Sequence, residues 1–218
     1  MIQKIAKEIE SLSGKYSGYE IFSDWIKTLA ISISNSSDLI HGKVWQERER
    51  QYMEIVQRQG QENIRHFCKM SAMLAETLED PQDVLGAVYM AAGLGSKQTG
   101  QFFTPFHLSI LDAQLAVPED VSPEKPILIN EPSTGGGGMI IAVVKTLLER
   151  GINPQKCMDV VAQDLDWKGV YMTYIQLSLL GIKATVVQGD TLCEPFVNEK
   201  TYPPERVLYT PARKGLLM

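Results

Sequence analysis

The sequence predicts an α/β fold, about four parallel strands carrying a ligand crevice at their tips and preceded by a helical region. Three observations predict it. The apolar run Ile127-Leu128-Ile129 feeds Glu131-Pro132-Ser133-Thr134-Gly135-Gly136-Gly137-Gly138, and the apolar-rich stretch Met139 to Leu148 follows at once. Strand, glycine turn and helix in that order open a nucleotide-binding half-sheet. Two further β-like runs end in acidic tips, Asp159–Ala162 before Asp164 and Ala184–Val187 before Asp190. Residues 1 to 92 carry their apolar side chains at helical spacing, which gives a helical region over 1–92 and an α/β domain over 93–218.

Taken in order, Ile2, Ile5, Ala6, Ile9 and Leu12 form one helical stripe, stopped by Ser13-Gly14. Phe22 to Ala30 continues towards the polar cluster Ser34–Ser37 as a second helix. Trp45 to Arg58 is charged, with Tyr52, Ile55 and Val56 as its apolar stripe and Gly60 as its break. The charges from Glu47 to Arg50 read as a solvated face, and His41 and His66 as structural. Ile64, Phe67, Met70, Met73, Leu74 and Leu78 make the next face, closed by Glu79-Asp80-Pro81, and Asp83 to Ala92 a fifth helix. Gly93 to Gly100 reads as a glycine-rich hinge. It leads into Gln101-Phe102-Phe103-Thr104-Pro105, where Thr104 is expected as N-cap and Pro105 at the first position of a helix running from Phe106 to Ala116. Lys168 to Leu180 is a helix stopped by Gly181, and Arg206 to Pro211 a fourth strand.

The glycine turn lets a ligand approach without a Cβ in the way, and the helix start behind it offers free N–H groups to a carboxylate or phosphate. The apolar share is 44% and the charged share 22%, ordinary for a soluble globular chain. A net charge of −5 gives no global attraction to nucleic acid, so DNA would need a local patch or a partner subunit. Met1-Ile2-Gln3-Lys4 opens no signal peptide and no apolar run spans a membrane, so a cytoplasmic location is expected. Cys68, Cys157 and Cys193 are too scattered for a disulfide framework or zinc, and no metal site is expected. Arg206, Arg213 and Lys214 read as solvated tail residues.

Three stretches together resemble the N6-adenine DNA methyltransferases, above all the modification subunits of type I restriction systems and their short relatives on phages and mobile elements. They are Gly100-Gln101-Phe102-Phe103-Thr104-Pro105, Glu131 to Gly137, and Gly189-Asp190-Thr191-Leu192. The likeness spans roughly residues 83 to 196, from Asp83-Val84-Leu85-Gly86 onwards. It implies a Rossmann-like S-adenosylmethionine-dependent methyltransferase fold. By position it places Phe103 and Thr104 at the methionine end of the cofactor, Thr104 near its carboxylate. Glu131, Ser133, Gly135 and Gly137 would wall the methionine and ribose, with Glu131 where Asp is more usual. Asp164, with Asp166 as the alternative, would take the ribose hydroxyls, and Asp190 the adenine amino group. The chemistry agrees: a carboxylate, an ammonium, a diol and an amino group need both acceptors and free N–H donors.

The family's Asn-Pro-Pro-Tyr or -Phe motif, which receives a flipped adenine, is absent. Leu208-Tyr209-Thr210-Pro211-Ala212 stands in its place, and Tyr202-Pro203-Pro204-Glu205 imitates it without an Asn. No catalytic residue is therefore assigned. The resemblance also implies a strand order of 3-2-1-4, which leaves Val207 to Thr210 as an apolar edge to be covered by the N-terminal helices or paired with another chain. A homodimer or hetero-oligomer follows from that reading. The chain is then an S-adenosylmethionine-binding N6-adenine DNA methyltransferase-like protein that needs a partner, or an inactive module regulating a restriction or methylation system. A dinucleotide oxidoreductase lacks the third glycine of its fingerprint here, and a nucleotide triphosphatase its Lys-Ser/Thr.

Overall fold

The structure, a computed structural model, describes residues 1–95, 103–198 and 200–216. Four helices come first: α1 Ile2–Leu12, α2 Gly18–Ser36, α3 Lys43–Thr77 and α4 Val84–Ala91. Ser17 caps α2 reciprocally, accepting from Glu20 N while the Glu20 carboxylate accepts from Ser17 N. Gly60 interrupts α3 at φ 77°, ψ 166°, so two helices meet there as the sequence predicts. Asp83 caps α4 by accepting from Gly86 N. The hinge from Ser96 onwards and Gln101-Phe102 of the phenylalanine segment lie outside the described residues. Helix α5 runs Phe106–Ala116 as expected, but its N-cap is Pro105 and no side chain caps it. Thr104 is thus one residue too early for the capping role.

The α/β part alternates β1 Ile127–Glu131, α6 Gly138–Glu149, the short α7 Pro154–Cys157, β2 Met158–Asp164, α8 Trp167–Leu179, β3 Ala184–Gln188 and β4 Val207–Tyr209. β1, β2 and β3 are parallel. Helices α6 and α8 pack on one face of the strands, over Ile127, Ile129, Val160, Ala162, Ala184 and Val186. Helix α2 then packs on α8, and α5 on α6. Trp25, Phe22 and Tyr89 are fully buried in the same apolar cluster as Val160 and Val186. The helical region and the sheet share one core.

The strand order departs from expectation. It is β1-β2-β3-β4, and β4 runs antiparallel beside β3, pairing Val186 with Leu208. A parallel neighbour needs a crossover, usually an α-helix, and the described part of the connection 189–206 holds only a 3₁₀ turn at Pro204–Arg206. The segment folds back under β3, where Tyr202 and Phe196 pack on Val187 and Val207. The N-terminal helices cover β4: Arg48 donates to the Val207 carbonyl at 2.8 Å, and Val207, Leu208 and Thr210 are buried. The open edge is therefore β1. Leu128 is 78% exposed there.

Two charge readings also change. Arg48 turns inward, to Ser34 Oγ on α2 as well as Val207 O on β4. The C-terminal basic residues are engaged: Arg206 with Glu194, Arg213 with Asp159, and Lys214 with Ser37 Oγ. His66 pairs with Glu8, and His41 stacks on Trp45. Among the described residues, no helix is long and apolar enough to cross a membrane.

Candidate functional site

The tips of β1, β2 and β3 converge through backbone bonds. Thr134 N donates to Gln163 O at 3.0 Å, Gly189 N to Asp164 O at 2.9 Å, and Thr191 Oγ1 to Pro132 O at 2.6 Å. These links hold the glycine turn, the β2 tip and the Asp190 loop side by side. The Asp164 carboxylate accepts from Gly135 N at 2.7 Å and from Asp166 N at 2.8 Å, so the β2 acid directly fixes the turn. Burial raises its pKa against those two backbone bonds, which lower it. Asp166 caps α8 through Lys168 N and pairs with Lys168 Nζ. Asp190 accepts from Leu192 N and Cys193 N, and these bonds hold its carboxyl below the usual range.

Gly135 (φ 53°) and Gly137 (φ 87°) occupy left-handed backbone that only glycine adopts readily. Their bare faces meet protein: a Cβ on Gly135 would stand 2.9 Å from the Phe103 ring, and one on Gly137 3.0 Å from Thr173 Oγ1. Phe103 in turn packs edge-on against Tyr89, ring centroids 5.5 Å apart. Glu131 accepts from Ser133 N at 3.2 Å. The structure thus brings Phe103, Glu131, Ser133, Gly135, Gly137, Asp164 and Asp190 to one end of the sheet, while Thr104 is exposed beside Pro105.

Beneath the turn lies a buried polar network that sequence reasoning gave no role. Gln176 Nε2 donates to Gly136 O at 2.7 Å and Asp83 Oδ1 at 3.0 Å, and its Oε1 accepts from Val84 N and Leu85 N. A Cβ on Gly136 would fall 2.8 Å from the Asp83 carboxylate, so that glycine makes room for the acid. The only sequence signal was Asp83 three residues before Gly86. Burial raises the Asp83 pKa above its ordinary 3.8. The folded state therefore holds that proton more tightly, and the stability it confers is complete below 3.8 and lost as pH rises through the folded pKa. Asp83→Asn keeps an acceptor for Gly86 N and Gln176, and is expected to gain about 1 kcal/mol over the parent at neutral pH. Denaturant melts should show that gain shrinking to nothing in acid. Asp83→Ala, which loses the cap, is expected to cost about 2 kcal/mol.

Tyr202 is structural. Its hydroxyl donates to Gln188 O at 3.1 Å, and a Cβ on Gly189 would overlap it. Gln163 anchors the same segment, donating to Glu194 O and accepting from Phe196 N. Thr210, at the end of β4, bonds Ile182 O and Ala184 N. Tyr202 is therefore committed to packing, while residues 203–205 are exposed.

A mostly parallel half-sheet with a glycine turn and acidic strand tips defines the class as an α/β protein with a crevice at its strand tips. The sequence profile of the N-6 DNA methylase family matches residues 81–207, more than half of the 218. The chain belongs to that family. Among solved structures, it is similar to the methyltransferase subunit of a type I restriction-modification system from Streptococcus thermophilus. The two share 17% identity at a TM-score of 0.47, over 78% of this chain and 36% of that one. No curated protein matches the chain.

Proposed function

We propose that this N6-adenine DNA methyltransferase-like chain binds S-adenosylmethionine at the strand tips and acts on DNA together with a partner. The observation that carries the reading is the Asp164 carboxylate locked onto Gly135 N, which joins the acid of β2 to the glycine turn of β1 in one preformed cradle. The donor set fits the cofactor: Asp164 for the ribose hydroxyls, Asp190 for the adenine amino group, Glu131, Ser133, Gly135 and Gly137 along the methionine and ribose, and Phe103 and Thr104 at its far end. When bound, the cofactor supplies an electrophilic methyl group on a sulfonium. The chain's own residues orient it, and Phe103 over Gly135 shields that side of the cradle from water.

The partner follows from two features. Just beyond β4, Thr210, Arg213 and Lys214 are held by Ile182 O, Asp159 and Ser37 Oγ and so serve the fold rather than a flipped base. β1 also has an open edge, flanked by the exposed α5 stripe Leu108, Leu111 and Leu115. A strand of a second copy or of another subunit on that edge gives a homodimer or hetero-oligomer. Light scattering should report an oligomer that Leu128→Lys dissociates, whereas a monomer at all concentrations overturns this part. The same features favour a second reading, a catalytically inactive cofactor-binding module that regulates a restriction or methylation system.

Calorimetric titration with S-adenosylmethionine, followed by labelled cofactor with unmethylated DNA, tests both. Binding with methyl transfer supports the enzyme, binding without transfer supports the module, and no binding overturns the shared premise. A cytoplasmic location fits either reading.

A further inference from the structure

A cleft of about 780 Å³ lies between α2, α3 and the start of α8, within the range of about 300–1,000 Å³ typical of ligand pockets. Most of its charge is already spent. Asp24 is bound by Arg58 and Gln59, Glu47 by Arg50 and Gln51, Glu54 by Arg50, and Lys168 by Asp166. Two half-buried cations are left. Lys27 makes no ion pair or hydrogen bond among the described residues, and Arg48 is held only by the neutral oxygens of Ser34 and Val207. Burial lowers the pKa of both, against a weaker attraction from Asp24 and Glu54 at Lys27 and from Asp38 at Arg48, and neither cation has a carboxylate in hydrogen-bonding contact among the described residues. One wall is aromatic: Trp167 and Tyr171 stack at 5.1 Å with their planes 26° apart. The Trp167 Nε1 and the Tyr171 hydroxyl make no hydrogen bond among the described residues, and Glu205 lines the mouth as the remaining uncommitted acid.

Two cations without a direct carboxylate partner, beside a stacked aromatic pair, suit an anion that carries a planar ring. We infer that this cleft is a nucleotide site, separate from the strand-tip cradle, which takes a phosphate between Lys27 and Arg48 and a base along Trp167 and Tyr171. Phosphate favours such partly desolvated cations over water, and bases stack on aromatic rings with little regard to sequence. Glu205 is placed to accept from a base amino group. The same chemistry is offered by a free mononucleotide or by a nucleotide within a DNA strand.

The test titrates the full chain with thymidine monophosphate, whose base is not the cofactor's adenine, and with a short single-stranded oligonucleotide. Both ligands are repeated on Lys27→Gln and Trp167→Leu. Binding is expected to weaken about tenfold in each variant. Lys27→Gln should melt at or above the parent's temperature, because burial of this cation outweighs the attraction of Asp24 and Glu54, and should bind S-adenosylmethionine as the parent does. Binding of both ligands assigns the site to free nucleotides, and binding of the oligonucleotide alone assigns it to a DNA strand. The inference is overturned if neither ligand binds, if Lys27→Gln binds as tightly as the parent, or if S-adenosylmethionine displaces the nucleotide. Loss of cofactor binding with nucleotide binding intact would sink the strand-tip reading and leave this one standing.

Discussion

Asp164→Ala is expected to weaken S-adenosylmethionine binding about a hundredfold. Two losses combine. The charged acceptor for a ribose diol disappears, and Gly135 N and Asp166 N lose the carboxylate that now holds both. The second loss also reaches the fold, because those N–H groups are left short of an acceptor in a largely buried place. A decrease of about 1–2 kcal/mol in unfolding free energy should accompany the affinity change. Asp164→Asn retains one oxygen and should fall between. Asp190→Ala makes a useful contrast, since its bonds to Leu192 N and Cys193 N are local to one exposed turn. It should lose affinity with little change in melting. Unaltered cofactor affinity in Asp164→Ala would remove Asp164 from the site.

Trp25→Ala carries the largest stability effect, about 3–5 kcal/mol. The indole is fully buried against Phe22, and its Nε1 donates to Ser71 Oγ at 3.0 Å, tying α2 to α3. The truncation leaves a cavity and a hydroxyl without its donor. Trp25 belongs to the cluster that continues through Tyr89 into Val160 and Val186 of the sheet. The whole chain should therefore melt in one transition, shifted as a unit. Two separated transitions, with only the first moved, would mean that helices and sheet unfold independently.

Much of this architecture was legible in the sequence because it depends on local period and on glycine. The glycine turn, the acidic tips and the span of α5 all follow from spacing within a few residues. The direction of β4 does not, since it depends on what lies between positions 189 and 206. Tyr202 and Gln163 pin that segment beneath β3, a pairing between residues 39 apart. Arg48 was misread for a related reason. In a run of alternating charges it looks solvated, and only the distant acceptors Ser34 Oγ and Val207 O turn it inward. Gln176 carries no pattern at all, and Asp83 only its place three residues before Gly86: both acquire meaning when three segments meet at Gly136. The candidate cofactor residues were read from family likeness, and the structure adds how Asp164, Gly135 and Phe103 hold one another.

The most direct measurement is backbone amide chemical-shift mapping of the intact chain on addition of S-adenosylmethionine. Saturable shifts at Gly135, Gly137, Asp164 and Asp190, with α2 and α3 undisturbed, are the expected result. Absence of shifts at the strand tips, or shifts confined to the cleft around Lys27 and Trp167, would contradict the placement of the cofactor.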